Sequence, residues 1–138
     1  MIVVDCSIIM AGTLQDEANA LAEEILHRLE TNSLQAIVPS IFYLEASNVL
    51  LTAYRKKRIN KSVWEKYLDV LSWLPLEIDD TATIPASVLT LSKLANEYNL
   101  TTYDAAYLDL AKRQNLTLVT LDKNLHKAAT KAGIAYNP

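Results

Sequence analysis

Residues 101–122, TTYDAAYLDLAKRQNLTLVTLD, restrict the possible folds of this chain more than any other stretch. Thr101 opens a Thr-x-x-acid helix start, and the apolar residues that follow recur at helical spacing. Asn115 marks a short turn, after which the strand-like LTLVTL ends on Asp122. A helix followed at once by a strand predicts an α/β fold in which the two pack side by side, as in parallel sheets.

Acidic residues stand where such a fold binds ligands. Asp104 lies in the first turn of the predicted helix, and Asp122 follows the strand. The short apolar run at residues 2–4 predicts another buried strand, and it ends on Asp5. Because ligands of open parallel sheets bind beyond the carboxyl ends of the strands, these carboxylates are expected to share one crevice.

A fourth acid occupies an otherwise apolar helix. Ser40 is predicted to cap a helix that runs to about Lys57, and Glu45 is the single charge within its segment IFYLEASNVLLTAY. Glu45 shares one face of this helix with Asn48 and Thr52. A lone carboxylate on a mostly covered helix is costly unless it is paired or bound to a metal ion.

The rest of the chain alternates helical and strand-like segments. Apolar periodicity predicts helices over residues 17–30, 62–74, 84–98 and 124–131, and strands over residues 34–38, 76–78 and 134–136. Asn99 is expected to end its helix in the left-handed conformation. This alternation predicts an α/β sandwich with a mainly parallel sheet.

Length and charge narrow the possible classes of protein. A chain of 138 residues predicts a single domain over residues 1–138. No apolar run reaches about 18 residues, so no membrane association is expected. Met1 leads into a strand without a basic leader, and the single cysteine, Cys6, cannot form an intramolecular disulfide, so a cytoplasmic location is expected.

A net charge of −3 means that nucleic acid binding would need local cations or metal ions.

Four segments together resemble the PIN-domain nucleases, in particular the VapC-like toxins of type II toxin–antitoxin pairs. They are VVDCS, FYLEASNVL, TTYDAAYLDLAKR and LVTLD, in the order and at the approximate spacing of that family. The resemblance covers nearly the whole chain. It implies a three-layer α/β/α sandwich with a short, mainly parallel central sheet, a metal-dependent endoribonuclease activity, homodimerisation and a cognate antitoxin.

The resemblance also implies the roles of the acids. Its site residues correspond to Asp5, Glu45, Asp104 and Asp122, with Mg²⁺ or Mn²⁺ as cofactor. Such hard cations prefer oxygen ligands, and a metal-bound water is a usable nucleophile for phosphodiester hydrolysis. We expect Asp5 and Asp104 to be direct ligands and Asp122 to act through a water. Glu45 is expected either to bind the metal or to position the attacking water.

Polar and basic neighbours are expected to support these acids. Asn48 is expected to orient Glu45 or to contact phosphate, and Ser7 and Thr120 to hold a water or a ligand carboxylate. A basic run at the end of the Glu45 helix is either a solvated helix end or a contact for RNA phosphates: Arg55, Lys56 and Arg58.

Each acid also has a purely structural explanation. Asp104 can serve as the acid of a helix N-terminus, Asp122 as the cap of the next helix, and Asp5 as the start of a turn. For Glu45 the alternative is a buried ion pair, with Arg113 as the candidate partner. Four further acids are expected on the surface or in turns: Asp69, Asp79, Asp80 and Asp109.

Two other functional hypotheses stay open beside the endoribonuclease. One is a catalytically silent binding module that keeps the fold and docks a basic peptide in the acidic crevice. The other is a phospho-accepting signalling domain. Such domains typically have a pair of adjacent acids near the first strand, and here Asp5 stands alone at that position.

Overall fold

A parallel sheet of four strands forms the centre of the protein, whose computed structural model describes residues 1–14 and 19–137. The strands lie in the order β3-β2-β1-β4, and they are β1 (Ile2–Val4), β2 (Ala36–Pro39), β3 (Leu76–Asp79) and β4 (Leu118–Val119). Val3 of β1 pairs with Ile37 on one side and Leu118 on the other. Both neighbours of β1 are parallel to it and buried, which explains its continuous apolar run.

Seven α-helices surround this sheet in the described part of the chain. They are α1 (Cys6–Thr13), α2 (Ala20–Glu30), α3 (Phe42–Arg55), α4 (Lys61–Trp73), α5 (Ser87–Tyr98), α6 (Thr102–Gln114) and α7 (Lys123–Lys131). Helix α6 packs against β1, β2 and β4, whereas α1 packs against α2 and α3. The architecture is the expected three-layer α/β/α sandwich. None of the described helices is long and apolar enough to cross a lipid bilayer.

Local sequence signals correctly predicted several helix ends. Thr101 is the N-cap of α6, and its hydroxyl oxygen accepts a hydrogen bond from the N–H of Asp104 at 3.0 Å. Asn99 and Asn115 end α5 and α6 in the left-handed conformation, with φ of 54° and 53°. Asn tolerates this conformation better than most residues, so these two stops follow from local chemistry.

Other local predictions are wrong or shifted. Helix α1 was not predicted, because Ile8 and Ile9 are β-branched and lower helix propensity; both are fully buried, and tertiary packing holds the helix. Ser40 does not cap α3, whose N-cap is Ile41, and its hydroxyl instead donates to Thr83 Oγ1 at 3.2 Å. Helix α2 begins after Asn19, and residues 17 and 18 of its predicted span lie outside the described residues.

The predicted strand at residues 134–136 is also reduced in the structure. It amounts to one parallel bridge between Ala135 and Leu118 of β4. Backbone hydrogen bonds from Leu118 N to Ile134 O at 2.8 Å and from Tyr136 N to Leu118 O at 3.0 Å fix this segment beside β4. This segment covers the outer edge of β4, and β3 is the edge strand on the other side of the sheet in the described residues.

Candidate functional site

Asp5 lies at the centre of a hydrogen-bonded cluster at the carboxyl ends of β1 and β4. Its carboxylate oxygen Oδ2 accepts hydrogen bonds from Ser7 Oγ at 2.5 Å, from Ser7 N at 3.3 Å and from Thr120 Oγ1 at 2.8 Å. Its N–H donates to Val119 O at 3.0 Å, which fixes it beside β4. Asp5 is 7% exposed and is the N-cap of α1. It therefore has the structural role predicted for it, at the start of a turn, and also lies in the cluster.

The segment after β4 holds this cluster from the other side. Leu121 N donates to Ser7 Oγ at 3.0 Å, and Asp122 N donates to Thr120 Oγ1 at 3.0 Å. The carboxylate of Asp122 accepts a hydrogen bond from Leu125 N at 2.8 Å and thereby caps α7. Asp122 therefore reaches the cluster through its backbone, and the structural explanation of its carboxylate as a helix cap holds.

Glu45 is held by Tyr107, a residue on the buried face of α6. The hydroxyl of Tyr107 donates to Oε2 of Glu45, although the Tyr107 ring is fully buried. Burial and the neighbouring Glu45 raise the pKa of Tyr107, so its hydroxyl stays protonated and remains a donor. The helical spacing between Asp104 and Tyr107 was the available signal, since residues three apart share a helix face.

Asp104 is fixed within the first turn of α6. The hydroxyl of Thr101 donates to Asp104 Oδ2 at 2.7 Å, while the Asp104 N–H donates to that same hydroxyl at 3.0 Å. This reciprocal pair resembles a capping box, so the structural explanation of Asp104 as a helix N-terminal acid also holds. The pair holds the side chain at the end of α6 from which its charge acts on Asp5 and Glu45.

Three carboxylates interact electrostatically at this point. Burial raises the pKa of Asp5, against hydrogen bonds from Ser7 and Thr120, and the charge of Asp104 raises it further. Burial also raises the pKa of Glu45, against the hydrogen bond from Tyr107, and the charges of Asp5 and Asp104 add to the rise. The ion pairs among the described residues involve other acids. The three carboxylates therefore form a region of excess negative charge.

Arg113 does not pair with Glu45, so that alternative is wrong. It instead joins α6 to the end of β3, with Nη2 at 2.8 Å from Asp79 Oδ1 and Nε at 2.7 Å from Asp109 Oδ2. The two acid side chains are 12% and 16% exposed, so they lie near the surface and are partly covered. Asp79 also accepts a hydrogen bond from Thr81 N at 3.1 Å, as expected of an acid in a turn. Burial alone would raise the pKa of Asp79, but the hydrogen bonds from Arg113 outweigh it and lower that pKa.

The negative charge of the three acids suits a hard divalent cation, whereas the present spacing of their side chains does not form a complete metal site. In residues 1–14 and 19–137, no group of three or more His, Cys, Asp or Glu side chains is arranged to hold a metal ion. Two carboxylates about 5 Å apart repel by roughly 3 kcal/mol at an effective dielectric of 20, which favours separated side chains. Mg²⁺ takes few carboxylates and keeps several waters, so two oxygen ligands are enough. The donor chemistry and the uncompensated charge therefore fit Mg²⁺ or Mn²⁺.

The other predicted residues lie further along α3. Asn48 is exposed one turn beyond Glu45, and the hydrogen bond to the Glu45 carboxylate comes from Tyr107 instead. Three basic residues are exposed at the end of the helix, about 15 Å from Glu45 at roughly 1.5 Å per residue: Arg55, Lys56 and Arg58. The structure thus groups Asp5, Ser7, Thr120, Glu45 and Asp104, and it leaves the basic run separate.

Comparison with known proteins gives a family and a shared fold. A family model described as PIN domain matches residues 2–131. The protein PAE2754 from Pyrobaculum aerophilum is 25% identical, with a TM-score of 0.66 over 91% of this chain and 77% of that one. No curated protein matches the sequence at a significant level.

Two further solved structures share the fold at lower identity. A toxin–antitoxin complex from Klebsiella pneumoniae has a TM-score of 0.57 and 20% identity, covering 88% of this chain and 87% of that one. FitAcB from Neisseria gonorrhoeae has a TM-score of 0.62 and 17% identity, covering 94% of each chain.

Proposed function

The chain belongs to the PIN-domain family, and from this premise we propose that it is a metal-dependent endoribonuclease that hydrolyses RNA phosphodiesters. PIN domains are generally nucleases, which supports a hydrolase. The observation that carries the proposal is the grouping of Asp5, Glu45 and Asp104: burial raises the pKa of Asp5 and of Glu45, and the charge of the neighbouring carboxylates raises it further. Such an excess of negative charge is what a divalent cation compensates.

The proposed ligands come from elements that the fold already holds in place. Asp5 and Asp104 would bind the ion directly, and Asp122 would contribute through a water. Ser7 and Thr120 both donate to Oδ2 of Asp5, which leaves Oδ1 as the ligand atom. When bound, Mg²⁺ or Mn²⁺ supplies a water of lowered pKa and neutralises charge that develops on the phosphate.

Glu45 and its neighbours have a different role in this proposal. Tyr107 holds Oε2 of Glu45, so Oε1 is the atom that orients the attacking water. Asn48 is exposed one helical turn away and contacts a substrate phosphate. These assignments divide the site into acids that bind the ion and one acid that acts on water.

A metal titration with a fluorogenic RNA tests the activity. We expect cleavage with Mn²⁺ or Mg²⁺ that is lost in Asp104→Asn while the circular dichroism spectrum is unchanged. Asp69→Asn is the matched control, because Asp69 lies on α4 and asparagine keeps the Oδ1 that accepts from Trp73 Nε1. Full activity of the double variant Asp5→Asn, Asp104→Asn would overturn the site assignment.

We further propose that the protein is the toxin of a toxin–antitoxin pair and acts in the cytoplasm. The structural neighbour from Klebsiella pneumoniae is described as a toxin–antitoxin complex, which supports an antitoxin partner. A basic segment of such a partner would complement the three acids. Expression of this chain alone is expected to arrest growth. Co-expression with an antitoxin candidate, sought in the neighbouring open reading frame, is expected to relieve that arrest. Arrest that persists, with no complex formed, would contradict the pairing.

A homodimer is the proposed assembly, through an apolar groove beside the acids. The groove has a volume of about 300 Å³ and is lined in part by Ile41, Val88 and Tyr103. Val88 and Tyr103 are 66% and 61% exposed, and a second copy of the chain would bury them. Val88→Glu is expected to give a monomer by light scattering, and Val88→Ala a dimer. A monomeric wild-type protein would contradict this assembly.

The silent binding module remains the alternative, and the three structural roles of the acids as caps favour it. It predicts no cleavage with any divalent metal, together with tight binding of a basic peptide that is lost in Asp104→Asn. The same titration therefore separates the two functions.

The organisation of residues 1–138 as one domain stays a prediction.

A further inference from the structure

The turn between α3 and α4 contains a cleft of about 590 Å³, which we call the basic cleft. Its lining includes Arg55, Lys57, Arg58 and Lys61, together with the face of Tyr54. Residues 55–61 hold five of the 13 lysines and arginines of a chain whose net charge is −3. No acid occurs between Glu45 and Glu65, so the basic charge is concentrated in this part of the sequence.

Backbone geometry fixes the shape of this cleft. Lys57 takes a positive φ of 59°, and its N–H donates to Tyr54 O at 2.9 Å. The next N–H, of Arg58, reaches back to Ala53 O at 2.9 Å. These two bonds close α3 and reverse the chain. Tyr54 stacks on Trp64 of α4 with ring centroids 4.8 Å apart, which holds the two helices together below the cleft.

Helix stability explains only part of the basic charge. Cations at the end of α3 interact favourably with its dipole, which accounts for Arg55 and Lys56. Lys61, however, opens α4, where the dipole disfavours a cation. Its ion pair with Glu65, at 3.6 Å between side chains 69% and 58% exposed, is worth little in water. Favourable interaction with helix dipoles therefore does not account for the whole cluster.

A row of polar side chains on α3 runs from the acids toward the basic cleft. Glu45, Asn48, Thr52 and Lys56 follow one another at helical steps of three and four, so they share a face. The distance from Glu45 to the cleft is about 15 Å at roughly 1.5 Å per residue. A nucleic acid strand with a rise of about 3.4 Å per nucleotide covers that distance in about four to five nucleotides.

We propose that the basic cleft binds the phosphate backbone of the RNA substrate, four to five nucleotides away from the bond that is cleaved. This inference rests on the proposed nuclease function. Acidic residues at the site of cleavage repel RNA, and a net negative chain gives no bulk attraction. A separate cationic site on the same helix supplies the affinity, and it sets the direction in which the strand lies.

Neutralising the cleft tests the proposal. The cleft variant changes three exposed residues that line it and leaves Arg58 in place, because Arg58 has a further contact: Arg55→Gln, Lys57→Gln and Lys61→Gln. The control variant makes the same change in net charge at exposed lysines that do not line the cleft: Lys66→Gln, Lys93→Gln and Lys127→Gln. Circular dichroism and Tm establish that both variants fold.

Binding is measured by anisotropy of a labelled single-stranded RNA on each protein carrying Asp104→Asn. Each phosphate contact contributes about 0.7 to the slope of log affinity against log salt for single strands, so the cleft variant is expected to lose about 2 from that slope. Between 50 and 200 mM salt, wild-type binding then weakens roughly 20-fold more than that of the variant. Equal losses in the cleft and control variants would overturn the proposal, because bulk charge would explain both.

Substrate length gives a second and independent readout. We expect the KM of the wild type to fall when one flank of the scissile bond grows past about four nucleotides, and kcat to stay constant. The cleft variant is expected to lose this dependence. Cleavage with an unchanged length dependence in the variant overturns the cleft assignment and leaves the nuclease proposal intact. If the wild type does not cleave RNA but the cleft variant still binds RNA more weakly, the nuclease proposal is refuted. The assignment of the cleft as an RNA-binding site then stands.

An acidic peptide is the competing ligand for such a cleft. Polyglutamate of matched length is therefore titrated against the bound RNA. RNA binding that resists this competition supports the phosphate backbone as the ligand. Loss of peptide binding alone in the cleft variant, with RNA binding unchanged, overturns the proposal.

Discussion

Replacing Tyr107 by phenylalanine removes one hydroxyl from a fully buried ring and leaves the packing of α6 in place. That hydroxyl donates to Oε2 of Glu45, and it comes from a residue 62 positions away in sequence. A hydrogen bond to a charged group contributes about 1.5 to 3 kcal/mol, and water can partly replace it because Glu45 is half-buried. We therefore expect a loss of about 1 to 2 kcal/mol in the free energy of unfolding.

The effect on catalysis follows from the proposed role of Glu45. A carboxylate that has lost its orienting donor is expected to lower kcat by about 10- to 100-fold, with KM nearly unchanged. The assay is steady-state cleavage of a fluorogenic RNA at saturating Mn²⁺, combined with urea unfolding. Ser87→Ala is the control, because it removes a buried hydroxyl that donates to Thr81 O at 2.5 Å, outside the acidic cluster. It should lower stability by about 1 kcal/mol without changing kcat.

A double-mutant cycle decides whether Tyr107 acts through Glu45. In the Glu45→Gln background, Tyr107→Phe is expected to add little further loss of kcat, because the two changes disable one unit. A loss of equal size in both backgrounds would refute the reasoning, since the hydroxyl would then act elsewhere. A loss of stability with unchanged kcat would reduce Tyr107 to a packing residue.

Three further predictions follow from the structure. Saturating Mg²⁺ or Mn²⁺, at about 100 times its Kd, should stabilise the fold by about 2.7 kcal/mol and raise Tm by several degrees in differential scanning calorimetry, and Asp5→Asn should abolish that rise. Asp79→Asn should destabilise the protein in urea at neutral pH. Because Arg113 holds the Asp79 pKa below its ordinary value of 3.8, the stability from this pair is complete above that value, and the difference between wild type and variant should shrink as pH falls below it. Asn115→Ala should cost about 1 kcal/mol in urea unfolding, because φ is positive there, whereas Asn115→Gly should stay within a few tenths.

Local signals in the sequence were sufficient where one or two residues decide the backbone. The stops at Asn99 and Asn115 and the cap at Thr101 depend on side chains that interact with their own turn. The same reasoning failed for Ser40, because its hydroxyl donates to Thr83, which lies in the 3-10 helix Thr81–Thr83. It also missed α1, whose helix is stabilised by burial and not by propensity.

The candidate site was only partly visible in sequence for a related reason. Acids after strands and at helix starts were apparent, so Asp5 and Asp104 were expected near one another. The choice between Arg113 and Tyr107 as the partner of Glu45 depends on which face of α6 meets α3. No short-range pattern in the sequence encodes that orientation. In the structure Arg113 pairs with Asp79, and Tyr107 is the residue that reaches Glu45.

The sequence by itself determined the alternation of helices and strands, the buried character of β1 and β2, and the acids at element ends, because each depends on neighbours a few positions away. The tertiary structure decided which of these ends meet. The order β3-β2-β1-β4 places β1 beside both β2 and β4, and so it joins Asp5 to Thr120 and brings it near Glu45. Contacts across 62 or 115 residues arise from packing a sheet between helices, since the cost of closing such loops is met only by the whole core.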